Sequence, residues 1–280
     1  MSDAFFRTWQ SADGLTLSAQ VHPGDPVRAP VLCLPGLTRN GRDFADLAVA
    51  IAPRFTVVCP DLRGRGRSRY APDPASYNPA QYCADLAPLL AGFGKGFVAI
   101  GTSLGGLMTM MLAASGARLR GAVLNDIGPV IEPAGLARIR GYVGVPHRFS
   151  GWDEAARALA QAQGEVFPRF AHEDWLRMAR RTMAERDGVI GPDYDMAIAK
   201  SFAGDNGAPD LWPLFDALKP VPLLVVRGTA SDILSAQTAE DMRARHGNAD
   251  LITVPDVGHA PTLDESAVRT AILALLERAG

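Results

Sequence analysis

The sequence predicts an α/β protein, a mostly parallel sheet with helices on both faces, and three observations carry that expectation. Short apolar runs alternate with stretches of helical spacing along most of the 280 residues. Most of those runs stop at a turn bearing glycine, proline or aspartate, as buried strands do. One interval, 129–210, breaks the rhythm with helix-like segments and no convincing strand, which marks an insertion.

Taken in order, Phe5 to Gln10 and Leu15 to His22 flank Ser11-Ala12-Asp13-Gly14, whose Asp-Gly pair signals a hairpin. Val31 to Leu34 is a buried strand ending at Pro35-Gly36-Leu37-Thr38, and Asn40 is placed to cap a helix running to Ala52. Phe55 to Cys59 is the next strand, and it leads into Asp61-Leu62-Arg63-Gly64-Arg65-Gly66-Arg67-Ser68-Arg69. The four arginines of that loop lack aromatic interleaving or a basic surround. A solvated or internally paired loop is therefore expected, not a phosphate or nucleic-acid patch, with Asp61 as its organiser. A helix over 79–93 follows.

Phe97 to Ile100 runs as a buried strand into Gly101-Thr102-Ser103-Leu104-Gly105, after which Leu104, Leu107, Met108, Met111 and Leu112 recur at helical spacing. The chain therefore turns from strand to helix at Ser103. Gly101 and Gly105 remove β-carbons that would collide in so sharp a corner, leaving the Ser103 hydroxyl exposed and the Leu104 amide at a helix N-terminus. Ala122 to Leu124 is a strand ending in Asn125-Asp126-Ile127-Gly128-Pro129. Inside the insertion, Asp153 to Gln163, Glu173 to Glu185 and Asp193 to Ala199 are expected as helices. The strand Val221 to Arg227, a helix over Ala236 to His246, the strand Asp250 to Val254 and a helix over Leu263 to Arg278 complete the chain.

Charge narrows the partners. Twenty-eight basic against 30 acidic residues, a net charge of −2, leave no global attraction to nucleic acid or an anionic membrane, so a small molecule is the expected partner. No apolar stretch approaches the ~20 residues that span a bilayer. Met1 to Phe6 carries an acid and no basic region ahead of an apolar core, so no secretory signal is expected. Cys33, Cys59 and Cys83 lack metal-ligand spacing and read as reduced, buried residues, which suits the cytoplasm. No metal cluster, phosphate loop or dinucleotide fingerprint is visible, and no cofactor is implied. A monomer or homodimer is expected.

Functional residues of an open parallel sheet gather at the carboxyl ends of its strands. Gly36, Leu37, Asp61, Ser103, Asp126, Asp232 and His259 stand there. A serine hydroxyl needs a base to attack at neutral pH, and His259 is the one histidine of five at such a position. Its imidazole needs a carboxylate to hold its tautomer; Asp232 is the expected one, with Asp126 as the alternative. Two pre-aimed donors are needed for the developing oxyanion, and the Leu37 and Leu104 amides are the candidates.

The Gly-x-Ser-x-Gly corner, the order serine, acid, histidine, the Asp61-x-Arg-Gly-x-Gly-x-Ser loop and the late insertion together resemble the α/β-hydrolase superfamily. The resemblance implies an eight-stranded sheet, with 1–128 and 211–280 as core and 129–210 as a helical cap after the sixth strand. It implies a serine hydrolase cleaving a small hydrophobic ester or lactone through an acyl-enzyme. Some relatives carry the acid after the sixth strand, which is why Asp126 competes. Pro35-Gly36 stands where many relatives have His-Gly. Ser103 argues against the relatives that use aspartate at the corner, the epoxide hydrolases and haloalkane dehalogenases. A meta-cleavage carbon–carbon hydrolase is one alternative, weakened by Thr102 where those enzymes place Asn; a binding protein without chemistry is another. Tyr142, Phe149, Trp152, Phe167, Trp175, Met178 and Tyr194 of the insertion are expected to form an apolar ceiling over Ser103.

Overall fold

The structure is a computed structural model that describes residues 3–202 and 209–280. Apolar strand runs buried on both faces demand cover on both sides, and the fold supplies it. Eight strands form one sheet: β1 (Phe5–Gln10), β2 (Thr16–His22), β3 (Val31–Leu34), β4 (Val57–Asp61), β5 (Phe97–Thr102), β6 (Leu119–Asn125) and, after the insertion, Leu223–Gly228 and Ala249–Val254. These last two are numbered β9 and β10, because the insertion itself contains β7 (Met183–Arg186) and β8 (Val189–Pro192). The order across the sheet is β1-β2-β4-β3-β5-β6-β9-β10, with β1 and β2 antiparallel and the rest parallel.

Side chains along each strand alternate between two cores. Leu32 and Leu34 of β3 face one, with α2 (Pro79–Leu90), α3 (Leu104–Ala114) and α9 (Ala236–His246) packed on it through Leu86, Met108 and Met242. Val31 and Cys33 face the other, against Leu47 and Ile51 of α1 (Ala45–Ile51) and Ile272 and Leu275 of α10 (Ser266–Ala279). All three cysteines are free, Cys33 and Cys59 fully buried.

From β3 the chain moves to one side to make β4, then crosses to the other side to make β5. A crevice opens where that order reverses, between the carboxyl ends of β3 and β5. Leu37 and Ser103 follow those two strand ends, so topology alone sets them side by side.

The insertion departs from the all-helical expectation. Besides α5 (Trp152–Gln163) and α6 (His172–Thr182) it contains α4 (Pro133–Tyr142), and the helix expected through Glu185 stops at Thr182. Beyond it β7 and β8 pair across Asp187-Gly188, both at positive φ, the primed-turn geometry of a tight hairpin. The helix-forming run Met-Ala-Glu-Arg hid that Asp-Gly signal. α4 escaped notice because Gly135 and Gly141 lower its helical propensity. Gly135 has a packing reason, since a β-carbon there would meet the Asp232 carbonyl oxygen at 2.3 Å. The helix expected over Asp193 to Ala199 is displaced to Ile198–Phe202, because Tyr194 bridges Arg65 and main-chain bonds tie Asp193 and Asp195 to Gly66 and Gly64. The part of the expected cap at 203–208 lies outside the described residues. Among the described residues no helix is long and apolar enough to cross a membrane.

Candidate active site

Ser103 sits at φ 53°, ψ −116°, between the last residue of β5 and the first of α3. Left-handed backbone is costly for a serine and persists only when its surroundings over-determine it. Here they do: a β-carbon on Gly101 would meet the Gly105 carbonyl oxygen at 2.3 Å, and one on Gly105 the Leu34 carbonyl oxygen at 2.0 Å. Strand, corner and helix pack backbone to backbone, and the Ser103 amide donates to the Asn125 carbonyl at 3.0 Å.

His259 arrives on the segment after β10. Its position is held by its neighbours: Gly258 donates to the Val166 carbonyl of the insertion and Ala230 donates to that of Val257. The imidazole is almost fully buried, with Nε2 2.9 Å from Ser103 Oγ and Nδ1 2.8 Å from a carboxylate oxygen of Asp126.

Asp126, not the expected Asp232, is therefore the carboxylate that meets the histidine. It follows β6 at φ 57° and is fully buried. An unsupported carboxylate in such a place would cost several kcal/mol. Two donors offset that: the Gly228 amide on Oδ1 at 2.9 Å and the Ser231 hydroxyl on Oδ2 at 2.6 Å. Asp232 lies one residue beyond Ser231, but both its oxygens are taken by Arg138 of α4, at 2.6 and 2.8 Å. That ion pair holds the Asp232 carboxyl below its usual range and ties α4 to the turn after β9.

Leu37 and Leu104 stand on either side of the serine. A β-carbon on Gly36 would lie 3.8 Å from Ser103 Cβ, so the Pro35-Gly36-Leu37 turn runs alongside Ser103. Leu104 opens α3, where amides lack intrahelical acceptors. Asp61 organises its loop as expected: its carboxylate accepts from Gly41 and Arg67 amides, both at 2.8 Å. Burial pushes its carboxyl up, against the pull of those amides. Arg63 and Arg65 are fully buried and internally bonded, Arg63 by two-pronged pairs to Asp85 and Asp13, while Arg67 lies over the Phe6 ring.

A cavity of about 350 Å³ opens over Ser103, within the range of small-molecule sites. The expected apolar ceiling is half correct. Tyr142, Phe167, Met178 and Tyr194 line the cavity, whereas Phe149, Trp152 and Trp175 do not. Trp175 packs edge-on against Phe167 and Phe170, and Trp152 sits under Arg180. Guanidinium groups of Arg39, Arg138 and Arg181 also line the walls, each paired with a carboxylate: Asp43, Asp232 and Asp264 respectively. Burial pushes the phenols of Tyr142 and Tyr194 up, so both are hydroxyl donors at neutral pH. A more open depression of about 490 Å³ is lined by Glu165, Arg169, Thr229 and Asp256, and its Thr229 hydroxyl accepts from the Asp256 amide at 2.8 Å.

Three residues of the site escaped the sequence analysis. Asn125 donates to the Pro261 carbonyl at 2.8 Å and to Thr102 Oγ1 at 3.0 Å, fastening the segment that follows His259 to β5. Ser231 holds the acid, and Arg65 holds the Leu37 carbonyl. Each is a polar residue at a strand end or in a turn, and each acts through a partner distant in the chain, Pro261, Asp126 and Leu37 respectively.

A family model described as "Alpha/beta hydrolase family" matches residues 31–271. A 3-hydroxybutyrate-oligomer hydrolase from Cupriavidus necator is 38% identical over 270 residues, 92% of each chain. A 2-(acetamidomethylene)succinate hydrolase from Mesorhizobium japonicum is 26% identical, over 92% of this chain and 90% of its own. The crystal structure of an alpha/beta hydrolase from Novosphingobium aromaticivorans superposes with a TM-score of 0.94 at 55% identity, covering 99% of both chains.

Proposed function

The chain belongs to the alpha/beta hydrolase family and is a hydrolase; from that premise we propose that it cleaves short esters of hydroxy acids, 3-hydroxybutyrate dimers and trimers among them, through a Ser103 acyl-enzyme. The single observation that carries this is the continuous row Ser103 Oγ, His259, Asp126, joined at 2.9 and 2.8 Å. His259 Nε2 takes the serine proton as Oγ attacks the ester carbonyl, and returns it to the departing alcohol. Asp126 holds the Nδ1 proton and stabilises the imidazolium that forms between those steps. The amides of Leu37 and Leu104 receive the negative charge of the tetrahedral intermediate. Water, activated by the same imidazole, then releases the acid.

The substrate class draws on the chemistry of the walls and on the 38% identical relative. Met178 and Phe167 suit the methyl groups of a hydroxybutyrate unit, while paired arginines and phenol hydroxyls suit its ester oxygens and its polar ends. A purely apolar acyl chain would displace water from those polar walls and return no hydrogen bond to them. The test compares purified protein on 3-hydroxybutyrate dimer and trimer with p-nitrophenyl butyrate and octanoate. Turnover of the oligomers and the short ester, lost in Ser103→Ala together with fluorophosphonate labelling, is expected. Labelling that survives Ser103→Ala, or a preference for octanoate over the oligomers, would overturn the nucleophile or the substrate class respectively.

A further inference from the structure

Arg65 carries a buried positive charge with no carboxylate on it among the described residues. Its side chain is fully buried, and none of its hydrogen bonds among the described residues goes to an acid. Nε and Nη2 converge on one acceptor, the Leu37 carbonyl oxygen, at 3.0 and 2.7 Å. Nη1 donates to the Arg63 carbonyl at 2.7 Å and to the Tyr82 hydroxyl at 3.0 Å, and the guanidinium lies 4.7 Å from the Tyr82 ring centroid. A guanidinium out of water and without a counter-charge is expensive to keep.

The carbonyl it holds is one Cα away from the amide proposed as an oxyanion donor. Two charge-assisted bonds on one oxygen hold the Leu37–Thr38 peptide, while the Arg39 amide holds the Gly36 carbonyl at 3.1 Å, so the peptides on both sides of the Leu37 Cα are restrained and with them the Leu37 N–H. The other end of Arg65 is anchored just as firmly. Its backbone bridges Tyr194 of the insertion, Asp195 donates its amide to the Gly64 carbonyl at 2.7 Å, and Gly66 donates to that of Asp193. Arg65 thus joins the turn beside the nucleophile to the segment that brings Tyr194 into the cavity wall.

Resting on the proposed roles of Ser103 and the Leu37 amide, we infer that Arg65 is a positioning residue of the reaction: it aims the oxyanion donor and couples that aim to the seating of the insertion. Ground-state binding asks little of this donor, whereas the tetrahedral intermediate asks much. The loss should therefore fall on kcat and leave KM nearly alone.

The experiment measures kcat, KM and the inhibition constant of a trifluoromethyl ketone, which forms an oxyanion on Ser103, for wild type, Arg65→Met and Arg65→Lys. Arg65→Met is expected to lower kcat about 30-fold, to weaken the ketone in proportion and to change KM less than about 3-fold, given the 10²–10³ cost of deleting such a donor outright. Arg65→Lys keeps one charged bond and should recover about half of that loss on a logarithmic scale. If Arg65→Met does not fold, Arg65→Lys decides alone, by whether its loss lies in kcat and ketone affinity. Folded variants with kcat and ketone affinity within about 3-fold of wild type, or a loss shared equally by KM, would overturn the inference while Ser103 chemistry stands. An inert wild type with no Ser103 adduct would overturn the proposed function and this inference together.

Discussion

Two turns at the rim of the sheet each carry an aspartate, one after β6 and one after β9, and they have opposite fates. Asp126 is buried, faces the imidazole and accepts from the Gly228 amide and the Ser231 hydroxyl. Asp232 is a third exposed and spends both oxygens on Arg138. The turn after β9 thus supplies the donors, and the turn after β6 supplies the acid they hold. A carboxylate becomes a histidine's partner by being buried among donors that fix it, and a place after a strand end is not enough.

The largest expected effect belongs to Ser103, the nucleophile we propose: Ser103→Ala should lower kcat by roughly 10⁵-fold or more in steady-state ester hydrolysis. Next is Asn125→Ala, which removes the bonds from the β6 turn to the Pro261 carbonyl and Thr102. With a buried carbonyl left unpaired, it should cost about 1–3 kcal/mol in urea unfolding and lower kcat as the His259 segment loosens. Asp232→Asn should be milder, raising KM by a few-fold with little change in kcat, because it frees α4 from the core and leaves the imidazole's partner in place. The smallest effect lies toward the β1–β2 edge of the sheet. Arg63 holds the Asp13 carboxyl down at about 2 from the ordinary 3.8, so the folded state binds fewer protons between those values. That stability is present above pH 4 and lost as pH falls through about 2. Asp13→Asn should flatten the acid limb there by less than about 1 kcal/mol, since half the Asp13 side chain meets water.

The same contrast explains what was legible in the sequence. Val31 to Leu34 and Phe97 to Ile100 are apolar without interruption, so they read as buried strands, and the two glycines around Ser103 exposed the corner at once. His259 followed from its place after the last strand. Choosing between Asp126 and Asp232 needed the donors on each, and those come from Gly228, Ser231 and Arg138, up to about a hundred residues distant in the chain. The insertion was the least legible region for a related reason. Its segments are set by contacts with the core, as when Gly64 to Gly66 capture Asp193 to Asp195 in extended form where local preference favoured a helix. Arg65 was visible only as one of four arginines in a loop; its burial distinguishes it from exposed Arg67 and Arg69.

We propose Asp126 as the carboxylate working behind His259. That role is tested most directly by the ratio of kcat/KM for Asp126→Asn to that for Asp232→Asn, measured on one ester with both proteins shown to be folded. The amide at 126 cannot stabilise an imidazolium, a defect worth about 10⁴-fold in a comparable serine enzyme, so Asp126→Asn should be slower than Asp232→Asn by roughly three orders of magnitude. Equal rates, or a slower Asp232→Asn, would contradict it.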